Sequence, residues 1–237
     1  MASAFQIVAT LHQPKRNYYD AARQQSLAIR NHFARLAESE DAEFKSRVVQ
    51  DMLPPMQVID DINDGYLVEK LARDKIDLIL LFGTQILGPH WLQAFPGRIV
   101  NLHLGLSPFY RGAATLFWPF VNRELACVGA TIHLAVERVD AGAILRRVRA
   151  EPVIGDSYYS LTTRLIRQAI HQVPSTAAAY LAGAITPLPQ TIDGTRAYRM
   201  RDFNDAVLQE ALDFVGDGLT AAQIDEATRS TKCAFLR

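Results

Sequence analysis

Between Ile76 and Leu145, short apolar runs alternate with abrupt glycine, proline and polar breaks, and this alternation restricts what the chain can fold into. The run Asp77–Phe82 passes directly into Gly83-Thr84. The run Ile99–His103 breaks into Leu104-Gly105-Leu106-Ser107-Pro108-Phe109-Tyr110-Arg111-Gly112, and Gly129–Ala135 leads to Val139-Asp140-Ala141-Gly142. Each run has the length and β-branched content of a buried strand. In open α/β sheets, ligands bind beyond the carboxyl ends of the strands. Asn101, His103 and Asp140 are therefore expected to converge on one crevice. Asn101 and His103, two residues apart on a strand, point to the same face. His133, mid-strand in Thr131-Ile132-His133-Leu134, has no terminal loop beside it and reads as a structural histidine.

Composition excludes several classes. The 237 residues suit one large domain or one domain with a small appendage, and 49% hydrophobic with 21% charged residues is ordinary for a globular protein. Lys+Arg and Asp+Glu both number 25, so no net field draws the chain to nucleic acid. Arg146, Arg147 and Arg149 are the densest basic group and alternate along an expected strand, where one face is solvated. Cys127 and Cys233 suggest neither a disulfide framework nor a thiol metal site. With no long apolar span or leader, the expectation is a cytoplasmic protein without a membrane partner. No metal site is expected, and oligomeric state is silent.

Taken in order, Phe5–Leu11 reads as a strand followed by His12-Gln13-Pro14, with no glycine-rich turn; the first glycine is Gly65. Asp20–Glu43 has helical composition. Val58-Ile59, a helix over 65–74 capped by Asn63 or Asp64, and the strand 76–82 form an expected right-handed crossover unit. Gly83 lets a flat ring approach the backbone, and Ile86 and Leu87 supply an apolar wall. Pro89–Phe95 reads as a short helix, and 113–124 as an aromatic-rich one with core roles for Phe117, Trp118 and Phe120. Asp156-Ser157 caps a long helix from Tyr158 to about Gly183. Beyond Pro187 the reading is a short strand pair in 190–200 and helices over 202–215 and 220–230.

Asn-x-His, then Ser-Pro-x-Tyr-Arg-Gly, then Val-Asp-Ala-Gly, in that order, resembles the folate-dependent formyltransferases, a family that includes glycinamide ribonucleotide, methionyl-tRNA and amino-sugar formyltransferases. The resemblance spans roughly residues 44–188. It implies an α/β, Rossmann-like formyltransferase fold with a twisted, mostly parallel sheet flanked by helices, here with the first βα unit lacking or reduced. It implies a catalytic domain over 1–188 and a mostly helical extension over 189–237. Asn101, His103 and Asp140 match the family's catalytic positions. Phe82, Gly83, Thr84, Gln85, Ile86, Leu87, Val139, Ala141 and Gly142 match the folate-binding ones. Ser107, Tyr110 and Arg111 fall on the acceptor side, where Arg111 either places a cation near the acceptor or braces the loop. The family commonly has Pro-Ser-Leu-Leu-Pro after the histidine; Leu104-Gly105-Leu106-Ser107-Pro108 departs from it.

The implied activity is transfer of the formyl group of 10-formyltetrahydrofolate to an amine of a small molecule, such as an amino sugar or a secondary-metabolite intermediate. No covalent enzyme intermediate is needed. The alternatives are a 10-formyltetrahydrofolate hydrolase and a shortened, non-catalytic binding protein of the same fold.

Overall fold

A computed structural model of the chain describes residues 5–14, 26–44, 54–229 and 233. In chain order the elements are β1 (Thr10–His12), α1 (Leu27–Phe44), β2 (Met56–Val58), α2 (Gly65–Arg73), β3 (Ile79–Phe82), α3 (Pro89–Ala94) and β4 (Ile99–His103). There follow β5 (Arg111–Gly112), α4 (Trp118–Val121), β6 (Gly129–Leu134), β7 (Ile144–Arg149), α5 (Tyr158–Leu181), β8 (Ala197–Tyr198), α6 (Asp205–Val215) and α7 (Ala221–Arg229). The central sheet has the order β3-β4-β6-β7; β1 pairs with β2, and β5 with β8. β1–β2, β3–β4 and β5–β8 are parallel, whereas β4–β6 and β6–β7 are antiparallel. The result is an α/β fold with mixed strand directions.

Local sequence explains the best-formed elements. Asp64 accepts a hydrogen bond from the Tyr66 amide and starts α2, while Lys70 and Arg73 occupy its last turn, where the helix dipole favours cations. Asn63 has another task. Its side chain donates to the Ile86 carbonyl (3.0 Å) and accepts from the Gly88 amide (2.6 Å), tying this corner to the loop after β3. Ser157 and Ser160 form a reciprocal cap on α5, and Asp156 pairs with Arg164 at 2.6 Å. Ile62, Val68, Leu71, Trp91, Phe95 and Ile99 form the core beneath β3 and α2. Val100, Leu102, Ala130, Ile132 and Leu145 face Ala169 of α5. The largest core joins Leu106, Tyr110, Phe117 and Phe120 to Leu208, Val215 and Leu219, so the C-terminal helices share their packing with the loop after His103.

Several expectations are corrected. The first strand is confined to Thr10–His12, and residues 20–25 of the expected first helix lie outside the described residues. β2 and β3 belong to different sheets, so α2 does not link neighbouring strands of one sheet. The aromatic helix of 113–124 shrinks to Trp118–Val121: Ala114 takes φ +54° and Arg123 φ +55°, both incompatible with helix continuation. Its aromatic residues are core, as expected, with Phe117, Trp118 and Phe120 buried. Arg147 does not merely face solvent, because its Nε donates to the Ser107 carbonyl at 3.0 Å. Cys127 and Cys233, both fully buried, form a disulfide that fastens the chain beyond α7 to the turn before β6.

Candidate active site

β4 and β6 create the site by their register. Asn101 lies opposite His133, and His103 opposite Thr131. Because alternate residues share a face, both pairs project on the same side of the sheet. Asn101 donates from Nδ2 to His133 Nε2 at 3.2 Å, and His133 Nδ1 donates to the Leu134 carbonyl at 2.9 Å. Nε2 thus lies between the Asn101 amide and the Asp140 carboxylate, in reach of both. His103 Nε2 donates to the Tyr110 carbonyl at 2.8 Å, leaving Nδ1 turned toward Asp140. The Asp140 carboxylate Oδ1 stands 3.4 Å from His103 Nδ1 and 3.5 Å from His133 Nε2.

Asp140 does not arrive as the arrangement of strand ends suggests. β6 runs antiparallel to β4, so the end of β6 lies beside the start of β4. The turn 139–142 instead curls back over the face, with Asp140 in the left-handed region at φ +52°. Gly142 is required there: a Cβ on it would sit 1.7 Å from the Leu134 carbonyl oxygen. The second carboxylate oxygen accepts from the Gly112 amide at 2.9 Å. Burial acts to raise the Asp140 pKa, but the His133 hydrogen bond, the His103 charge and the Gly112 N–H outweigh it, and the carboxyl titrates below its ordinary value. For His103 burial dominates. It lowers the pKa against the opposing pull of Asp140 and the Tyr110 carbonyl, so burial disfavours the imidazolium while the carboxylate beside it favours it.

The remaining expected residues divide. Phe82 is 50% exposed and Ile86 69%, Val139 is 41% exposed, and Gly83 has φ +61°. With Thr84 and Gln85 also exposed, the loop after β3 and the turn 139–142 present apolar surface on which a flat heterocycle could rest. Leu87 is only partly exposed and packs on the core around Trp91. Ser107 and Tyr110 are fully enclosed. The Tyr110 hydroxyl donates to Glu124 and accepts from Asn122 Nδ2, and its ring stacks on Tyr198 at 5.7 Å. Both residues thus support the loop from behind. Arg111, 3% exposed, donates to the Val139 carbonyl (3.2 Å) and to Thr195 Oγ1 (3.1 Å), the bracing role of the two considered.

His133, read from sequence as structural, also stands in this cluster, against Asn101 and Asp140. The signal was present only in pairing: a polar residue two positions from Thr131, on a strand that would lie against Asn101-x-His103.

Residues 8–177 match a family model described as Formyl transferase. The chain belongs to the formyl transferase family. Solved structures share its fold. The formyltransferase PseJ from Anoxybacillus kamchatkensis, in complex with UDP-4,6-dideoxy-4-formamido-L-AltNAc and tetrahydrofolate, is 21% identical over 68% of this chain and 89% of its own, with a TM-score of 0.52. A sugar N-formyltransferase from a Shewanella species is 15% identical, covering 88% of this chain and 87% of its own, with a TM-score of 0.56. Glycinamide ribonucleotide transformylase 1 from Symbiobacterium toebii is 22% identical over 56% of this chain and 69% of its own, at 0.50. In this formyl transferase, no group of His, Cys, Asp and Glu that could hold a metal occurs among the described residues, and no described helix is long and apolar enough to cross a membrane.

Proposed function

We propose that the enzyme transfers the formyl group of 10-formyltetrahydrofolate to an amine on a small molecule, with an amino sugar as the leading acceptor class. The observation that carries this reading is the meeting of the Asn101 amide, the His103 imidazole and the Asp140 carboxylate, with Asp140 Oδ1 3.4 Å from His103 Nδ1. Tetrahydrofolate and a formamido sugar nucleotide are bound together in the PseJ structure, and a sugar 3N-formyl transferase, WlaRD, was crystallised with dTDP and 5-N-formyl-THF. The exposed apolar wall of Phe82, Ile86 and Val139 beside the polar cluster suits a pterin.

The donor supplies a formyl carbon activated as an amide-like acyl group. Asn101 contributes the second hydrogen of Nδ2, the first being held by His133, toward the formyl oxygen as it gains negative charge. His103 takes a proton from solvent as that oxygen becomes anionic; with Nε2 held by the Tyr110 carbonyl and Nδ1 facing Asp140, its imidazolium acts on the oxyanion through charge, and Asp140 balances it. Asp140 also receives, directly or through one water, the proton that the attacking nitrogen sheds, and this proton passes to the donor nitrogen as its bond to the formyl carbon breaks and tetrahydrofolate leaves. Oxyanion donors of this kind are worth about 2.7–4 kcal/mol each.

The test is incubation of purified enzyme with 10-formyltetrahydrofolate and a panel of amine metabolites. Turnover that requires an amine supports the proposal. Formate release without any amine indicates the hydrolase, and absence of donor binding indicates a binding protein.

A further inference from the structure

Beyond the residues that match the family, the chain returns to the active site. The match ends at residue 177. Residues 188–198 then lie along the catalytic turn: Leu188 and Ile144 exchange backbone hydrogen bonds at 2.8 Å each, and β8 pairs in parallel with β5, placing Ala197 against Arg111 and Tyr198 against Gly112. Between these two anchors, Gln190 Nε2 donates to the carbonyls of both Asp140 (3.1 Å) and Gly142 (2.5 Å). Thr195 Oγ1 accepts from Arg111, whose other terminal nitrogen donates to the Val139 carbonyl, and itself donates to the Ile192 carbonyl at 2.7 Å. Every carbonyl from Val139 to Gly142 except that of Ala141 is therefore held by a side chain, and the donors come from β5 and from this C-terminal segment.

We infer that Gln190 and Thr195 are positioning residues for Asp140, and that residues 188–198 form a strap completing the catalytic centre. The physical reason is the backbone of Asp140. A non-glycine residue at φ +52° persists only where its surroundings over-determine it. Asp140 has its carboxylate held by the Gly112 amide, and the β8 pairing fixes Gly112 in turn. Gln190 supplies the complementary restraint on the main chain. A side-chain rotation of Asp140 would break its fit to both His103 and His133, so the strap sets the distance on which proton transfer depends. The inference rests on the transfer reaction proposed above for its kinetic part, and on the Asp140–His103 contact alone for its structural part.

The experiment compares Gln190→Met, which keeps the bulk but removes both donors, with Thr195→Val and Thr195→Ser. Gln190→Met and Thr195→Val are expected to lower kcat by about 10–100-fold with little change in KM, the usual scale for losing a supporting hydrogen bond to a reacting group. Thr195→Ser, which keeps the hydroxyl, retains the wild-type rate. In parallel, the His103 imidazole is titrated by NMR without substrate. His103 is faced by Asp140, His133 and Arg111; displacing the carboxylate removes the one anion among them, so its titration moves to lower pH in Gln190→Met and Thr195→Val. Wild-type kcat or a wild-type His103 titration in the folded variants overturns the inference. If Gln190→Met does not fold, the Thr195 pair decides. If wild-type enzyme shows no transfer with any amine, the proposed reaction fails, and the His103 titration alone decides the strap.

Discussion

At the scale of single residues, His133 and Asp140 divide the work of holding the site. His133 meets the Asn101 amide at 3.2 Å and approaches Asp140 at 3.5 Å, so its removal both frees Asn101 and strips a partner from the carboxylate. His133→Ala is expected to lower kcat by about 10–100-fold while donor and acceptor KM stay near wild type, because it acts through another side chain. Asp140→Asn keeps the shape but removes the charge proposed to receive the proton; steady-state kinetics should show a loss of about 100-fold or more. That Asn101, His103 and Asp140 come together was legible in the sequence because their motifs sit in loops and strand ends where glycine and proline mark the breaks. His133 was not. Nothing in Thr131-Ile132-His133-Leu134 reports which strand lies beside it, and only the antiparallel pairing of β4 with β6 brings a core-like histidine against Asn101. Tyr110 shows the converse: its place in Tyr-Arg-Gly suggested a ligand contact, yet burial turns the ring into packing.

At the scale of elements, the turn 139–142 carries the Asp140 carboxylate and the short strand β5 holds it, and glycine makes each possible. Gly112 has φ +97°, and a Cβ there would meet the Tyr198 carbonyl oxygen at 2.2 Å. Gly112→Ala should therefore part β5 from β8 and withdraw the amide that holds Asp140. The expected outcome is a folded but less stable protein, by about 1–3 kcal/mol in a denaturant titration, with transfer activity reduced far more than the stability loss explains. Retained activity in that variant would mean that the β5–β8 pairing has no part in the site. Elements with strong local signals were readable in advance: α2 from its Asp cap and apolar stripe, α3 from Pro89, α5 from Asp156-Ser157. Elements governed by distant contacts were not. The direction of β6, the separation of β2 from β3, and the shortening of the aromatic helix all depend on packing partners far along the chain.

At the scale of the whole molecule, two features bind the N-terminal and C-terminal parts to the same core. The Cys127–Cys233 bond closes a separation of 106 residues and anchors the chain after α7. Cys233→Ser should cost about 2–4 kcal/mol, by relieving the unfolded chain of a long loop constraint, and thermal unfolding with and without reductant should show the difference in wild type only. The second feature is His32 on α1. It is 3% exposed among Phe33, Phe117, Tyr158, Tyr159 and Phe203, with Nδ1 3.0 Å from the Tyr159 hydroxyl. Burial lowers its pKa from 6.5 to about 4. The unfolded chain therefore binds a proton at this position between pH 6.5 and about 4 that the folded chain refuses. Stability is complete above pH 6.5 and declines as pH falls toward 4, where the folded imidazole itself titrates; the loss is on the order of 2 kcal/mol. His103, also lowered by burial, adds a share of the same sign. His32→Phe keeps a ring in the aromatic cluster and removes one of these protons. Chemical denaturation at pH 5 and pH 7 should show a smaller stability difference in His32→Phe than in the wild type, and an unchanged difference would mean that α1 does not hold its histidine inside the core in solution.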